Sequence, residues 1–317
     1  MATDLLTALL APLDPSTFFD RYYEREPLHV RAAAPPASPL LTHDALLDAL
    51  LALPAPPEGL MAFPEHLALA LDLDLALDLA PDPALGLAAL LADPALLRAY
   101  VDAGHPLVWN RARGVSPAID ALAAALSDSF GAHVWPNVYA TGAAGTPFEM
   151  HFDAHEVLAV HCEGEKTWQI SAVRVDRPLD AAEMEPAVAA ALRDRRDEAC
   201  ARPLLEIAVA PGDVVYVPRG QFHNASTPRG RSLHVTFGIR ELAGFDVIKL
   251  LATTALGEPL FREYLPAAAA DGDGARADAL LEEILERIRE LTRSPALLAD
   301  LRAARAHLVR RGRSPRG

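Results

Sequence analysis

Apolar and polar positions along this chain change their spacing twice. In the first hundred residues they fall mainly at helical spacing. "THDALLDALLAL" opens with Thr42, which can cap, and Asp44 in the first turn, and predicts a helix over residues 43–53. "DPALLRAYVDAG" predicts a helix ended by Gly104, followed by a short buried strand in "HPLVWN". "SPAIDALAAALSDSFG" has Ser116 at the cap, Pro117 at the first helical position and Gly131 just past the end, the clearest helix in the chain. One stretch gives two answers. "HLALALDLDLALDLAPDPALG", residues 66–86, alternates Leu with Ala or Asp, a period of two that says strand, while its Ala and Leu content says helix.

From about residue 133 the apolar runs become short and are punctuated by turns: "HVWPNVYATG", "FEMHFD", "EVLAVHCEG", "EKTWQISA", "LLEIAVAPGD", "VVYVPRG" and "SLHVTFGI". Many short strands between Gly and Pro turns predict an antiparallel sandwich or barrel. Between two of them, "LDAAEMEPAVAAALRDRRDEACAR" reads as a helical or irregular insertion. After Ile239 the helical period returns, most plainly in "ADALLEEILERIRELT", and ends in the basic tail "RAARAHLVRRGRSPRG". The expected organisation is an N-terminal mainly helical region (1–104), a β-rich region (105–241) and C-terminal helices with the basic tail (242–317).

Composition narrows the class. With 317 residues, 51% of them apolar, the chain can bury a sizeable core as a soluble globular protein. No apolar run is long enough for a membrane span, and the first residues lack the basic n-region of a secretion signal, so a cytoplasmic protein with no membrane partner is expected. The two cysteines, Cys162 and Cys200, have no metal-type spacing and argue against a disulfide framework. A net charge of −14 argues against direct nucleic-acid binding and leaves room for a basic partner.

The chemistry concentrates in "HFDAHEVLAVHCEGEKTWQI". On an extended backbone His151 and Asp153 point to the same face. The turns Pro211-Gly212 and Pro218-Arg219-Gly220 frame a short strand and deliver His223. Two imidazoles and one carboxylate make the set that holds Fe(II) on one face and leaves positions open. The spacing around these residues sharpens the reading. Gly145, five residues, His151, then Asp153 and Gly164 resembles the first motif of the cupin superfamily, and Gly212, five residues, Pro218-x-Gly220, two residues, His223 matches the second. Lys166, in phase with Trp168 and Ile170, points inward on its strand, where an ammonium needs an anion.

These segments, with "PNVYATG" and the earlier "FFDRYYEREPLHVR", resemble the JmjC-domain cupins that include the ribosomal oxygenases. The resemblance runs from about residue 15 to about 260 and implies an α+β fold with a mainly β core, a double-stranded β-helix (the cupin or jelly-roll JmjC barrel) flanked by N- and C-terminal helices. It also implies a hydroxylase dependent on Fe(II) and 2-oxoglutarate, with iron on His151, Asp153 and His223. Lys166, fifteen positions after His151, is then the residue that binds the far carboxylate of 2-oxoglutarate, while Asn137 and Tyr139 line the pocket. The chain departs from that pattern in "TGAAGTPFEM", which lacks the usual double proline, and at Gly238, where related enzymes often carry a polar side chain.

Other residues have plainer readings. His155 and His161 are read as structural, and Glu156 lies one or two positions short of the glutamate ligand of ordinary cupins. His234, in phase with Ser232 and Thr236, is either a pocket residue or a satisfied core histidine. The expected substrate is a basic polypeptide side chain, a ribosomal protein being one candidate. The other readings are a small-molecule hydroxylase and a metal-binding cupin acting as sensor or scaffold. A homodimer through the helices after Ile239 is expected.

Overall fold

Every second residue of β5 (Glu156–Glu163) and β8 (Val214–Val217) faces a different core, and this organises the protein. The computed structural model describes residues 2–33, 38–62, 83–142, 148–180, 183–184, 186–272 and 274–313. The remaining strands are β1 (Leu28–Val30), β2 (Leu60–Ala62), β3 (Leu107–Trp109), β4 (His133–Gly142), β6 (Lys166–Arg174), β7 (Pro203–Val209), β9 (Gln221–Ser226) and β10 (Arg231–Arg240). Seven of the ten make one sheet in the order β1-β8-β5-β10-β4-β3-β2, and three make a second in the order β7-β6-β9. Neighbours run antiparallel throughout, the arrangement of a double-stranded β-helix.

Val157, Ala159, Val215 and Val217 of the larger sheet pack with Trp168, Ile170, Ile207 and Val209 of the smaller one. The intervening residues Leu158, Val160, Val214 and Tyr216, joined by Leu233, Val235 and Phe237 of β10, face a helical layer on the other side. Each such side chain contributes about 1.5–3 kcal/mol on burial. A sheet covered on both faces reads as continuous apolar sequence, which is why "EVLAVHC" shows little alternation.

The cover consists of α1 (Ala2–Leu10), α2 (His43–Leu51), α3 (Pro83–Ala92), α4 (Pro94–Asp102) and α5 (Pro117–Phe130). The Thr42 side chain caps α2 by accepting from the Ala45 N–H (3.0 Å), and α2 ends two residues before the boundary the sequence suggests. The α5 helix runs between Ser116 and Gly131 as read from the sequence. The ambiguous repeat lies outside the described residues up to position 82, and α3 follows it. Two strands of the first hundred residues went unread: β1 and β2 are three residues each and join opposite edges of the larger sheet.

The insertion forms α6 (Pro186–Arg193) and α7 (Arg196–Ala201). The chain closes with α8 (Gly244–Ala255), α9 (Ala275–Arg293) and α10 (Pro295–Arg313), and the last of these lies against α5 and β4. Among the described residues no helix is long and apolar enough to cross a membrane.

Candidate metal centre and its pocket

The expected strand "FEMHFD" is instead a loop that touches β9 through one antiparallel bridge, His151 opposite His223. The two residues exchange backbone hydrogen bonds of 3.0 and 2.7 Å, and the Gly220 N–H donates to the Asp153 carbonyl at 2.7 Å. Gly220 has φ 81°, and a Cβ there would lie 2.0 Å from the Val175 carbonyl oxygen, so the turn before His223 requires glycine. Strand β9 itself was not anticipated, because "QFHNAS" mixes polar and apolar residues at the edge of the smaller sheet.

Both histidines commit one ring nitrogen to the backbone. His151 Nδ1 lies 2.8 Å from the Glu149 carbonyl and His223 Nδ1 lies 2.9 Å from the Gln221 carbonyl. With the proton on Nδ1, each Nε2 keeps a lone pair turned toward the third residue. These Nε2 atoms lie 4.0 and 3.6 Å from Asp153 Oδ2, and one donor atom from each of the three residues falls within 4.8 Å of the others.

Charge suits the same role. Burial, and then the neighbouring His151, push the His223 imidazole down to about 4, so it is neutral near pH 7. Burial works against ionisation of Asp153, but the imidazoles of His155, His223 and His151 hold its carboxyl below the usual range. Two imidazoles and a carboxylate are the donor set of a non-haem Fe(II) site, and they fit that ion. His155 Nε2 lies 3.9 Å from Asp153 Oδ1, and the His155 ring meets Trp135 edge to face at 4.9 Å.

The three residues open on a cavity of about 650 Å³. Lys166, Asn137, Tyr139 and His234 line it too, so the three expected metal ligands and the four expected pocket residues meet in one place. Lys166 is only 2% exposed. Its Nζ donates to Thr141 Oγ1 at 2.7 Å, and Thr141, Thr227 and Ser232 join their hydroxyls at 2.8 to 3.2 Å. The anchor uses one of three ammonium hydrogens. Burial alone pulls the Lys166 amine down to about 7. His234 stacks flat on Tyr139 (4.6 Å, 5°), its Nδ1 has no partner among the described residues, and burial, then Lys166 and His161, hold its pKa well below the usual value. Asn137 Oδ1 accepts from the Arg111 N–H at 2.9 Å.

Several residues that line the pocket or anchor Lys166 have no signal singled out in the sequence. Thr141 shares the phase of Asn137 and Tyr139 on β4, so a period-two reading could have found it. Thr227 lies in the turn after β9, where no pattern points to it, and Trp168, which stacks on His223 (5.9 Å, 22°), had been noticed only for its phase with Lys166. Glu156 lies on the other face of its strand. It accepts from the Tyr216 hydroxyl and does not line this cavity. His161 places Nε2 2.9 Å from the Gly164 carbonyl.

Residues 111–246 match the JmjC domain family. Over 298 residues, 89% of this chain, it is 28% identical to ribosomal oxygenase 1 of Rattus norvegicus, and it spans about half (47%) of that relative's length. Over 254 residues it is 24% identical to the bifunctional lysine-specific demethylase and histidyl-hydroxylase NO66 of Drosophila mojavensis, covering 80% of this chain and 27% of that protein. The likeness in fold extends beyond residues 111–246. The structure of YcfD, a ribosomal oxygenase from Escherichia coli in complex with cobalt and 2-oxoglutarate, superposes with a TM-score of 0.52 at 14% identity over 92% of this chain and 70% of that one.

Proposed function

We propose that this protein is an oxygenase dependent on Fe(II) and 2-oxoglutarate that hydroxylates a protein or peptide side chain. The observation that carries the reading is a two-histidine, one-carboxylate set whose Nε2 atoms are freed for a metal, sharing one cavity with a buried lysine. His151, Asp153 and His223 would hold Fe(II). When bound, iron supplies the dioxygen chemistry that couples oxidation of 2-oxoglutarate to hydroxylation of a C–H bond.

The chain's own residues do the positioning. Lys166, pinned by Thr141, presents its remaining ammonium hydrogens to the far carboxylate of 2-oxoglutarate, and His234 Nδ1, unpartnered among the described residues, offers a second polar contact to the cosubstrate. Asn137 and Tyr139 form the wall between cosubstrate and substrate. A sensor or scaffold cupin has no need for an ammonium buried beside its metal, which favours the oxygenase. Relatives named ribosomal oxygenase and histidyl-hydroxylase favour a polypeptide over a free metabolite, and a ribosomal protein is one candidate.

In this reading residues 105–241 hold the catalytic machinery, residues 1–104 cover it, and residues 242–317 meet a second copy of the chain. Exposed Ile248, Leu256, Leu265 and Leu285 support a homodimer through these helices. The free thiols Cys162 and Cys200 suit a reducing, cytoplasmic compartment, and the acidic balance disfavours direct nucleic-acid contact. Succinate release from 2-oxoglutarate by the iron-loaded protein, with and without an extract of its own cell's proteins, tests the reading. No succinate under either condition overturns it, and stimulation by a small-molecule fraction alone overturns the polypeptide substrate.

A further inference from the structure

The stretch "HFDAH" sets His151, Asp153 and His155 at every second position, and His155 is not one of the three candidate ligands. Its ring is nevertheless prepared in the same way as theirs. His155 Nδ1 lies 3.1 Å from the Glu156 carbonyl, much as His151 Nδ1 lies 2.8 Å from that of Glu149 and His223 Nδ1 2.9 Å from that of Gln221. A carbonyl oxygen only accepts, so the proton sits on Nδ1, and in the neutral ring Nε2 keeps a lone pair that a metal can take.

That nitrogen faces the same carboxylate. It lies 3.9 Å from Asp153 Oδ1, while the Nε2 atoms of His151 and His223 lie 4.0 and 3.6 Å from Oδ2. With metal–nitrogen bonds of about 2 Å, two donors on one ion stand about 3–4 Å apart, and all three separations fall in that range. Three imidazoles therefore converge on Asp153, two on one oxygen and one on the other. A lone pair opposite a carboxylate oxygen is repelled unless a cation or a proton lies between them. The ring meets the Trp135 indole edge to face at 4.9 Å, and both residues line the cavity that holds Lys166.

We propose that His155 is a third imidazole ligand of the metal centre, bound while the cosubstrate is absent and displaced when it enters. The inference rests on the metal set of His151, Asp153 and His223 and not on the reaction. His155 lies outside the group of donors that fall within 4.8 Å of one another, so its bond is the weakest of the four and the first to yield. Four protein donors leave an octahedral ion two positions, and a chelating 2-oxoglutarate fills both. Release of His155 opens the third position that a set of two histidines and one carboxylate provides. Until the cosubstrate arrives, the ion has one open position fewer.

Cu(II) serves as the probe, because its electron paramagnetic resonance lines split according to the number of bound nitrogens, with no turnover required. In the full chain loaded with Cu(II) we expect splitting from three nitrogens, falling to two when N-oxalylglycine, an unreactive analogue of 2-oxoglutarate, is added. His155→Phe keeps a ring against Trp135 but carries no nitrogen, and it should show two nitrogens from the start. By calorimetry it should bind Cu(II) roughly ten-fold or more weakly than the parent, and the copper-loaded variant should bind N-oxalylglycine more tightly. Two nitrogens in the parent, three that persist in His155→Phe, or three that persist with N-oxalylglycine overturn the proposal and leave His155 as an ion-pair partner of Asp153. The expected splittings with no succinate formed from iron and 2-oxoglutarate would sink the oxygenase reading and leave the third ligand standing.

Discussion

Trp135 occupies the space that a side chain at Gly238 would need. A Cβ at Gly238 would lie 2.6 Å from the indole Cε2, and the indole is held from elsewhere by His155, edge to face at 4.9 Å. The two residues sit opposite each other on β4 and β10, so the chain has a large residue on one strand and none on the other. The missing side chain at Gly238 is thus matched by a bulky neighbour that lines the pocket.

The first prediction follows from that pair. Gly238→Ala should destabilise the fold by about 1–3 kcal/mol, the usual cost of overpacking a filled site. Trp135→Leu/Gly238→Ala should recover most of the loss relative to Trp135→Leu alone. Denaturant midpoints of the four proteins measure the coupling, and strictly additive effects would show that the two residues do not compete for space.

Removing a candidate ligand should separate metal binding from folding. Asp153→Ala is expected to lower Fe(II) or Co(II) affinity by more than ~100-fold while far-ultraviolet circular dichroism stays unchanged, because Asp153 supports no core packing. His223→Ala should lose metal as well, with some loss of stability from the space left beside Trp168. Metal titration by calorimetry decides, and parental affinity in Asp153→Ala would remove that residue from the ligand set.

If Lys166 holds 2-oxoglutarate as proposed, binding should be sensitive to pH. Its amine is pulled down to about 7, so the ammonium is present below that pH and is lost above it. Above pH 7 a dicarboxylate must bind together with a proton, and affinity should fall by up to ~10-fold per unit as pH rises toward ~9. Lys166→Ala should cost about ten- to a hundred-fold in affinity, the worth of a charge-assisted hydrogen bond. Lys166→Arg should lose less and show a flatter pH profile, since its guanidinium stays charged. Calorimetry in buffers of different ionisation heat reads the proton uptake directly, and its absence in the parent protein would count against Lys166 as the clamp.

Glu156 carries a stability signature of opposite origin. Burial pushes its carboxyl up from 4.5 to about 7, against the hydrogen bond from Tyr216. Between these values the folded protein keeps a proton that the unfolded chain has released. The stabilisation is therefore complete below pH 4.5 and is lost as pH rises through about 7. Glu156→Gln cannot ionise, and it should be more stable than the parent by roughly 1–3 kcal/mol at pH ~8 while nearly matching it at pH ~4.5. Unfolding curves at the two pH values check this, and a difference that does not change with pH would mean that Glu156 does not ionise in this range.

The two cupin motifs were legible because backbone geometry demands particular residues at fixed spacing. Gly220 has no substitute where it turns, and a histidine three positions later inherits its place from that turn. The phase of Lys166 with Trp168 and Ile170 was legible for a similar reason, since a strand repeats every two residues. What the pattern hid was set by tertiary contact. Strands β1 and β2 are too short to show a period, and "FEMHFD" looked extended although it makes a single bridge. The hydroxyls around Lys166 come from β4, β10 and the turn after β9, and no local pattern joins them.

The double burial of the larger sheet also sets an order of events during synthesis. Leu6, Leu10, Phe18 and Leu46 leave the ribosome long before Val214, Tyr216 and Phe237, the strand residues that share their core. Strand β1 waits for β8, nearly two hundred residues later in the chain. Pairings this distant form late and slowly. Until β10 emerges, the first helices present leucine-rich faces to the cell with no sheet to close over them, and a chain halted before residue 240 would be a natural client of whatever holds sticky nascent proteins apart.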